Sequence, residues 1–228
     1  MLKPPVQTEN PAPILAIDTS SAQGAVALFD GHNLSYRSWP AARAHTSTLL
    51  CEVHHLLDAA KRDVGDVVAI VLAVGPGTFT GLRVGFGLAK GFHLATDAPL
   101  IGVPTLLATA FPFADCGRLV LATVEAGRGR LVWSTFRREA GCLRELDTPR
   151  NSSVAEFIAR AADAGPCLIA GEIDPETERE LSLIHDAVVP PRAVRMRQPG
   201  ALAALGWARW QQGQIDDPVS LEPMYLSR

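Results

Sequence analysis

Six glycines fall within nineteen consecutive residues, and this density constrains the fold more than any other feature of the chain. The stretch is AVGPGTFTGLRVGFGLAKG, from Ala73 to Gly91. It overlaps VVAIVLAVG, an apolar run without alternation that predicts a strand covered on both faces of an α/β sheet. A tight Gly-Pro-Gly turn then leads into a predicted helix that ends near Asp97. The sequence therefore predicts a strand–turn–helix unit at the centre of a sheet.

The same stretch lacks both common nucleotide-binding fingerprints. A P-loop requires a lysine after its final glycine, whereas Gly81 is followed by Leu82. A dinucleotide-binding loop requires a third glycine at the position of Thr80. The free amides at the start of the predicted helix, near Thr78 to Thr80, are still suited to hold an anion. Either threonine is also suited to cap the helix, which is the alternative interpretation.

The predicted helix is unusual in its content of small residues. Glycine in a helix interior costs about 0.5–1 kcal/mol relative to alanine, so several of them imply close approach of another backbone. The small residues share about half of the helix circumference, and they are Gly81, Gly85, Gly87, Ala89, Gly91 and Ala95. Apolar side chains lie on both sides of this helix, which therefore requires two neighbours. One neighbour is the sheet, and the other is the preceding helix or a second protein chain.

An acidic residue, Asp18, ends the first predicted strand, just before a Thr-Ser-Ser turn. A carboxylate there is placed to face a metal–phosphate group across a cleft, although aspartate at a strand end is also a common turn former. The six histidines contain no pair with metal-binding spacing, and the four cysteines show neither metal nor redox spacing. The sequence thus assigns no metal ligand and no catalytic residue.

The order of the segments predicts an α/β fold in two halves. Three short strands, a helix over residues 46–60, a central strand, the glycine-rich helix and another strand make up the first half. After Asp115, hairpin-linked strands precede a helix over residues 152–162 and a further strand, so the second half resembles a reduced copy. We assign residues 1–104 to a first lobe and 105–228 to a second, with the C-terminal helix and tail returning toward the first.

Composition limits the classes of function. The formal net charge of −3 excludes a protein that grips nucleic acid unaided, in spite of a local island formed by Arg192, Arg195 and Arg197. No segment is long and apolar enough to cross a bilayer, and residues 1–13 lack the apolar core of a secretory signal. We therefore expect a cytoplasmic protein.

Several segments, read in order, resemble the bacterial TsaB (YeaZ) family. They are ILAIDTS, RAHT at residues 43–46, the glycine-rich stretch, IGVPTL and the terminal EPMYLSR. The resemblance is specific through residue 107 and thinner beyond residue 115. It implies the two-lobed fold of actin, hexokinase and the heat-shock chaperone ATPases, with a ribonuclease-H-like mixed sheet and helices in each lobe.

The resemblance also implies a function. A member of this family would be the non-catalytic accessory subunit of the machinery that installs threonylcarbamoyl on the adenosine beside the anticodon of tRNA. The implied partners are the catalytic paralogue TsaD, the ATPase TsaE and, when the chain is alone, a second copy of itself. It would meet tRNA only through the complex, and it would hold no cofactor apart from ATP or ADP at a subunit interface.

By the same resemblance, a pair of imidazoles is replaced. The catalytic paralogues carry two metal-ligating histidines four residues apart, and the matching positions here are Thr105 and Thr109. Hydroxyls do not replace imidazoles as ligands of iron or zinc. In the hairpin of the second lobe the family tends to show DARxGEVY, from which Glu125, Gly127 and Arg130 depart. We assign no site residue in that lobe.

The glycine-rich helix and its predecessor are thus predicted to form a face that pairs with the paralogue. The predicted subunit interface comprises Gly81, Arg83, Gly85, Phe86 and Lys90. The predicted contacts to a nucleotide or anion are Asp18, Thr78 and Thr80. Two rival hypotheses remain, namely an ATPase, kinase or metallopeptidase-like enzyme on the same fold, and direct capture of tRNA by the arginines of residues 192–197.

Overall fold

The computed structural model describes residues 11–40 and 45–226, with residues 45–47 described as backbone alone. Residues 41–44, which include the first two residues of the RAHT motif, lie outside the described ranges, as do residues 1–10 and 227–228. Within the described ranges the chain forms two β-sheets with helices packed against them.

The strands alternate with helices along the chain. The strands of the first sheet are β1 (Ile14–Asp18), β2 (Gln23–Phe29), β3 (Leu34–Pro40), β4 (Ala69–Gly75) and β5 (Leu100–Pro104). Those of the second are β6 (Leu119–Gly127), β7 (Arg130–Glu139), β8 (Cys142–Glu145), β9 (Arg150–Ser153), β10 (Cys167–Gly171) and β11 (Ala187–Val188). The helices are α1 (His45–Ala59), α2 (Phe79–Thr96), α3 (Thr105–Ala110), α4 (Val154–Asp163), α5 (Pro175–Leu181), α6 (Arg192–Arg195) and α7 (Pro199–Gln211).

The first sheet has the strand order β3-β2-β1-β4-β5, in which β1 pairs antiparallel with β2 and parallel with β4. Strand β4 is buried along its whole length, as its unbroken apolar sequence predicts. Its even-numbered residues pack with α1 and α2, and its odd-numbered residues pack with α7. Helices therefore cover both faces of this sheet.

Small side chains let α7 lie close to the sheet. Its Gly206 faces Val71 of β4, and a methyl group at this glycine would overlap the valine side chain. Alanines from β1, β2 and β4 complete this part of the core, and they are Ala16, Ala27, Ala69 and Ala73. Close helix-to-sheet approach is thus a property of both faces of the first sheet, and not of the glycine-rich helix alone.

The second sheet has the order β11-β10-β6-β7-β8, and β9 also pairs with β7. Helix α4 covers one face through Phe157 and Ala161, and it begins with a capping box between Ser153 and Glu156. Helix α3 covers the other face through Leu106 and Ala110. Since Ala108 of α3 packs into the core of the first sheet, this one helix lies between the two lobes.

The C-terminal segment returns to the first lobe. Helix α7 packs on the first sheet, and the backbone N–H of Met224 donates a hydrogen bond to the carbonyl oxygen of Val74 at 2.7 Å. Leu221 packs against the core of the first lobe, whereas Leu226 packs against that of the second. In the described part of the chain, no helix is both long and apolar enough to cross a bilayer.

Candidate functional site

The glycine turn before α2 is packed against the turn between β1 and β2. The backbone N–H of Thr78 donates to the carbonyl oxygen of Ser20 at 2.7 Å, and a Cβ at Gly77 would overlap that same oxygen. Gly75 has a φ of +109°, and a Cβ there would lie 2.6 Å from the carbonyl oxygen of Met224. The turn therefore needs glycine for close backbone approach.

The glycines of α2 divide into two groups. Gly81 and Gly85 are buried and face Thr19, whose hydroxyl donates a 2.7 Å hydrogen bond to the carbonyl oxygen of Gly81. Gly87 and Gly91 are exposed, and a methyl group at either would meet no atom of the described residues within 4 Å. Only the first group is explained by packing within this chain.

The predicted interface residues lie on different sides of α2. Gly81, Gly85 and Phe86 are buried against the core of the chain itself, so their assignment to the surface of a subunit contact needs correction. The physical reason is that the small-residue arc faces the β1–β2 turn and the sheet. Arg83 is exposed, with its guanidinium 3.8 Å from the centre of the Phe79 ring, and Lys90 is partly exposed. These two residues stay a prediction.

The predicted anion contacts also lie in different surroundings. Thr78 and Thr80 are exposed at the start of α2, and Thr78 forms no side-chain cap hydrogen bond there. Asp18 is buried, and its side chain is 7% exposed. Its Oδ1 accepts hydrogen bonds from the backbone N–H of Ser20 at 2.9 Å and from the Ser20 hydroxyl at 2.6 Å. The Nε of Arg197 donates to the other carboxylate oxygen.

Arg197 controls the charge of Asp18. Burial alone would raise the pKa of this carboxyl, but the Arg197 guanidinium and the hydrogen bonds from Ser20 outweigh burial and lower the pKa. Conversely, burial would lower the pKa of Arg197, but Asp18 and Glu172 raise it. Both groups are therefore ionised, and they form a buried ion pair.

The arginine island of residues 192–197 is mostly turned inward. Arg197 is 5% exposed at its side chain, and Arg195 is fully buried. The Nη2 of Arg195 donates to the carbonyl oxygen of Ile173 at 3.3 Å and to Glu178 at 2.9 Å. Only Arg192 of these three is exposed. The hypothesis that this island captures tRNA is therefore wrong for Arg195 and Arg197, because their charges are already taken by neighbours.

Other positions singled out from the sequence form local hydrogen bonds and no metal site in the described residues. Thr105 and Thr109 are buried on α3, and the Thr109 hydroxyl donates to the carbonyl oxygen of Thr105 at 2.8 Å. In the second-lobe hairpin, burial and the neighbouring Glu172 raise the pKa of Glu125, while Arg130 donates to Asn151. Among the side chains of residues 11–40 and 48–226, no three His, Cys, Asp or Glu lie close enough to hold a metal ion.

Sequence reasoning missed the partner of Asp18 and the part played by Glu172. Arg197 is 179 residues away from Asp18, so no periodicity or motif spacing could have joined them. The Arg197 guanidinium also lies 3.9 Å from Glu172. A cavity of about 500 Å³ opens beside this cluster and is lined by Gln23, Tyr36 and Arg192, among others.

Two lobes with mixed sheets and an acidic residue at the end of β1 define the class of actin-like two-lobed α/β proteins, which confirms the expected fold class. A family model described as "TsaD: tRNA N6-adenosine threonylcarbamoyltransferase" matches residues 40–184. The Escherichia coli tRNA threonylcarbamoyladenosine biosynthesis protein TsaB is 34% identical over 128 residues, which is about half (55%) of either chain. The chain belongs to the TsaB (YeaZ) family.

Two further proteins match along almost the whole chain. An uncharacterized protein of Mycobacterium tuberculosis is 32% identical over 94% of this chain and 92% of its own length. The solved structure of YeaZ from Pseudomonas aeruginosa superposes with a TM-score of 0.76 at 24% identity, and covers 94% of this chain and 100% of its own. The likeness of sequence and fold thus extends over both lobes.

Proposed function

We propose that this chain takes part in the biosynthesis of tRNA threonylcarbamoyladenosine as a non-catalytic scaffold subunit. Membership of the TsaB family carries the proposal, because the Escherichia coli relative is named for that biosynthesis. The partners that we propose are a TsaD-type catalytic paralogue and a TsaE-type ATPase. The chain forms a homodimer when alone, meets tRNA only through the complex, and contacts ATP or ADP only at a subunit interface.

The chemistry of the residues supports a scaffold rather than an enzyme. The positions that match the metal-ligating histidines of the catalytic paralogues are Thr105 and Thr109, and both side chains are buried in α3. A threonine hydroxyl is a poor ligand for iron or zinc. The carboxylate of Asp18, at the end of β1, is paired with Arg197. Neither place offers the groups that group transfer or ATP hydrolysis would use.

The outer face of α1 and α2 supports assembly. These helices lie side by side on the first sheet, and a groove of about 260 Å³ runs between Leu50 and His54 on α1 and Phe92 on α2. Leu50 is 53% exposed and Leu94 is 82% exposed. Exposed large apolar side chains beside two open glycines form a surface on which another pair of helices would pack closely. This outer face is our proposed subunit contact.

Reconstitution tests the proposed function. Purified TsaD-type and TsaE-type proteins, tRNA, ATP and threonylcarbamoyl-adenylate are incubated with and without this chain, and the modified nucleoside is measured by mass spectrometry. We expect product only when all three proteins are present. Transfer by this chain alone, or transfer that is unaffected when the chain is omitted, would contradict the proposal. Turnover of ATP by the isolated chain would favour the enzyme hypothesis instead.

Glycine variants test the assembly face directly. Gly87→Leu and Gly91→Leu add bulk where the described residues leave open space, so we expect folding to be retained while a closely packed partner is excluded. We expect weaker co-purification with the TsaD-type protein and a smaller dimer fraction in analytical ultracentrifugation. Ala159→Leu is the control, since it places the same leucine side chain at an exposed position on α4. Equal yields of complex from all three variants would count against this face.

A further inference from the structure

The connection between α6 and α7 is where the chain passes from the second lobe to the first. Helix α6 packs beside β10 of the second sheet, and α7 lies on the first sheet. Two arginines in this region bind in different lobes. Arg195 bonds to Ile173 and Glu178 in the second lobe, whereas Arg197 bonds to Asp18 and Ser20 in the first.

Arg197 also approaches a carboxylate of the second lobe. Its Nη2 donates to the Ser20 hydroxyl at 2.9 Å and lies 3.9 Å from Oε1 of Glu172. Glu172 is buried, and its other oxygen accepts a hydrogen bond from the backbone N–H of Glu125 at 3.2 Å. One guanidinium therefore stands between two buried carboxylates, Asp18 from the first lobe and Glu172 from the second.

The fold class implies a metal-bound nucleotide in the cleft between the lobes, and the residues present do not fit that group. A divalent cation would need free oxygens of the carboxylate at the end of β1. Within the described residues, Oδ1 of Asp18 accepts hydrogen bonds from Ser20 and Oδ2 accepts one from Arg197, so the position beside Oδ2 already holds a positive charge. A second cation there would be repelled at short range in a poorly solvated place.

We propose that Arg197 is the resident cation of the inter-lobe cleft. Its guanidinium lies between Asp18 and Glu172, excludes metal-bound nucleotide from this cleft, and joins the two lobes in one arrangement. Its Nη1 and the Oε1 of Glu172 are both buried without a hydrogen-bond partner in the described chain, so the cluster is held by charge more than by saturated hydrogen bonding. This inference does not depend on the proposed function in tRNA modification.

Replacing the resident cation tests the exclusion of metal. In Arg197→Met the two carboxylates would face each other without a cation, and we expect binding of Mn²⁺ to rise by at least about tenfold over the wild type. Arg197→Lys keeps the charge and should stay close to the wild type. Arg209→Met is the matched control, because it removes an arginine that pairs with Asp216, away from the cleft cluster. Isothermal titration of Mn²⁺ into each purified chain is the measurement.

The outcomes separate clearly. Equal Mn²⁺ affinity in Arg197→Met and the wild type would overturn the proposal. If Arg197→Met fails to fold, the test uses the wild type. Millimolar Mn²⁺ is added, and paramagnetic broadening of the amide NMR resonances around Ser20 is measured. Absence of broadening there supports the resident cation, and broadening that Asp18→Asn removes overturns it. Reconstitution of tRNA modification is scored separately, so failure of either proposal is distinguishable.

Hydrogen exchange tests the link between the lobes. We expect faster exchange in Arg197→Met at the amides of residues 18–23 and 192–198, which meet at the ion pair. Exchange in the central strands β4 and β6 should be unchanged. In Arg209→Met, exchange should change only near residue 209. Unchanged exchange at both segments of Arg197→Met would show that the guanidinium does not hold the lobes together.

Discussion

Helix α2 carries glycines on both of its sides, but one pair is buried and the other pair is exposed. The inner side places Gly81 and Gly85 against Thr19, where a methyl group has no room. The outer side places Gly87 and Gly91 in open space. An interior glycine destabilises a helix by about 0.5–1 kcal/mol relative to alanine. For Gly81 and Gly85, packing within the chain offsets this cost. For Gly87 and Gly91, the cost is offset only if another molecule packs closely against them.

The turn between β1 and β2 explains the inner side. Thr19 contacts the inner glycines, Ser20 accepts the Thr78 amide, and Asp18 binds Arg197. Three consecutive residues thus attach the start of the first sheet to α2 and to the connection before α7. The side of α2 with Gly81 and Gly85 therefore packs on the β1–β2 turn and the first sheet, while the side with Gly87 and Gly91 faces outward.

The largest expected effect is at Asp18. Asp18→Asn removes the carboxylate that Arg197 contacts directly and leaves only Glu172, at 3.9 Å, to balance the buried charge. Loss of one member of a buried ion pair costs about 3–5 kcal/mol. Urea unfolding at neutral pH measures this loss. Retention of wild-type stability would show that the inner side does not depend on the ion pair.

Acid should weaken the same contact. Because the pKa of Asp18 is lowered in the folded state, its stabilising contribution is complete above the ordinary value of 3.8 and is lost as the pH falls through the lowered value. The difference in unfolding free energy between the wild type and Asp18→Asn should therefore shrink as the pH is lowered below that ordinary value. A difference that stays constant across this range would contradict the assignment.

Gly81→Ala should have the next largest effect. The added Cβ would overlap the carbonyl oxygen of Thr19, which is backbone and cannot rotate away. Overpacking of this kind costs about 1–3 kcal/mol, which exceeds the helix propensity gained. Thermal unfolding measures the loss, and an increased melting temperature would mean that the inner side is looser than described.

Gly85→Ala should cost less, and its cost should depend on one neighbour. The Cβ would lie 2.5 Å from the Thr19 hydroxyl oxygen, which is a side-chain atom. We expect Gly85→Ala alone to destabilise by about 1 kcal/mol and Thr19→Ala to relieve that clash, so the double variant should show a coupling of about 0.5–3 kcal/mol. If the free-energy changes of Gly85→Ala and Thr19→Ala simply add in the double variant, the two residues do not interact.

Gly87→Ala should have the smallest effect and the opposite sign. Because the methyl group meets nothing within 4 Å in the part of the chain that the structure describes, we expect the isolated chain to gain about 0.5–1 kcal/mol from helix propensity. Denaturant unfolding of Gly87→Ala and Gly81→Ala measures the effect of the same substitution on the two sides of α2. Destabilisation of the monomer by Gly87→Ala would show that the outer side of α2 is as closely packed as the inner side.

The sequence was sufficient for the elements that local rules control. The central strand β4, the glycine-rich helix and the order of strands and helices in the first half follow from apolar periodicity and turn residues, which act over a few neighbours. The short helices α5 and α6 were not predicted, since segments of seven and four residues carry too little periodicity. The side of α2 that faces the sheet was also undecided, because apolar residues lie on both sides.

By itself, the sequence determined the two-lobed α/β fold, the need for glycine at the turn before α2 and the presence of hydroxyls at residues 105 and 109. Only the tertiary structure decided which glycines are buried and which charge Asp18 meets. Hydrophobic patterning is a local property of the chain, whereas a buried ion pair between residues 18 and 197 is formed when folding removes both groups from water.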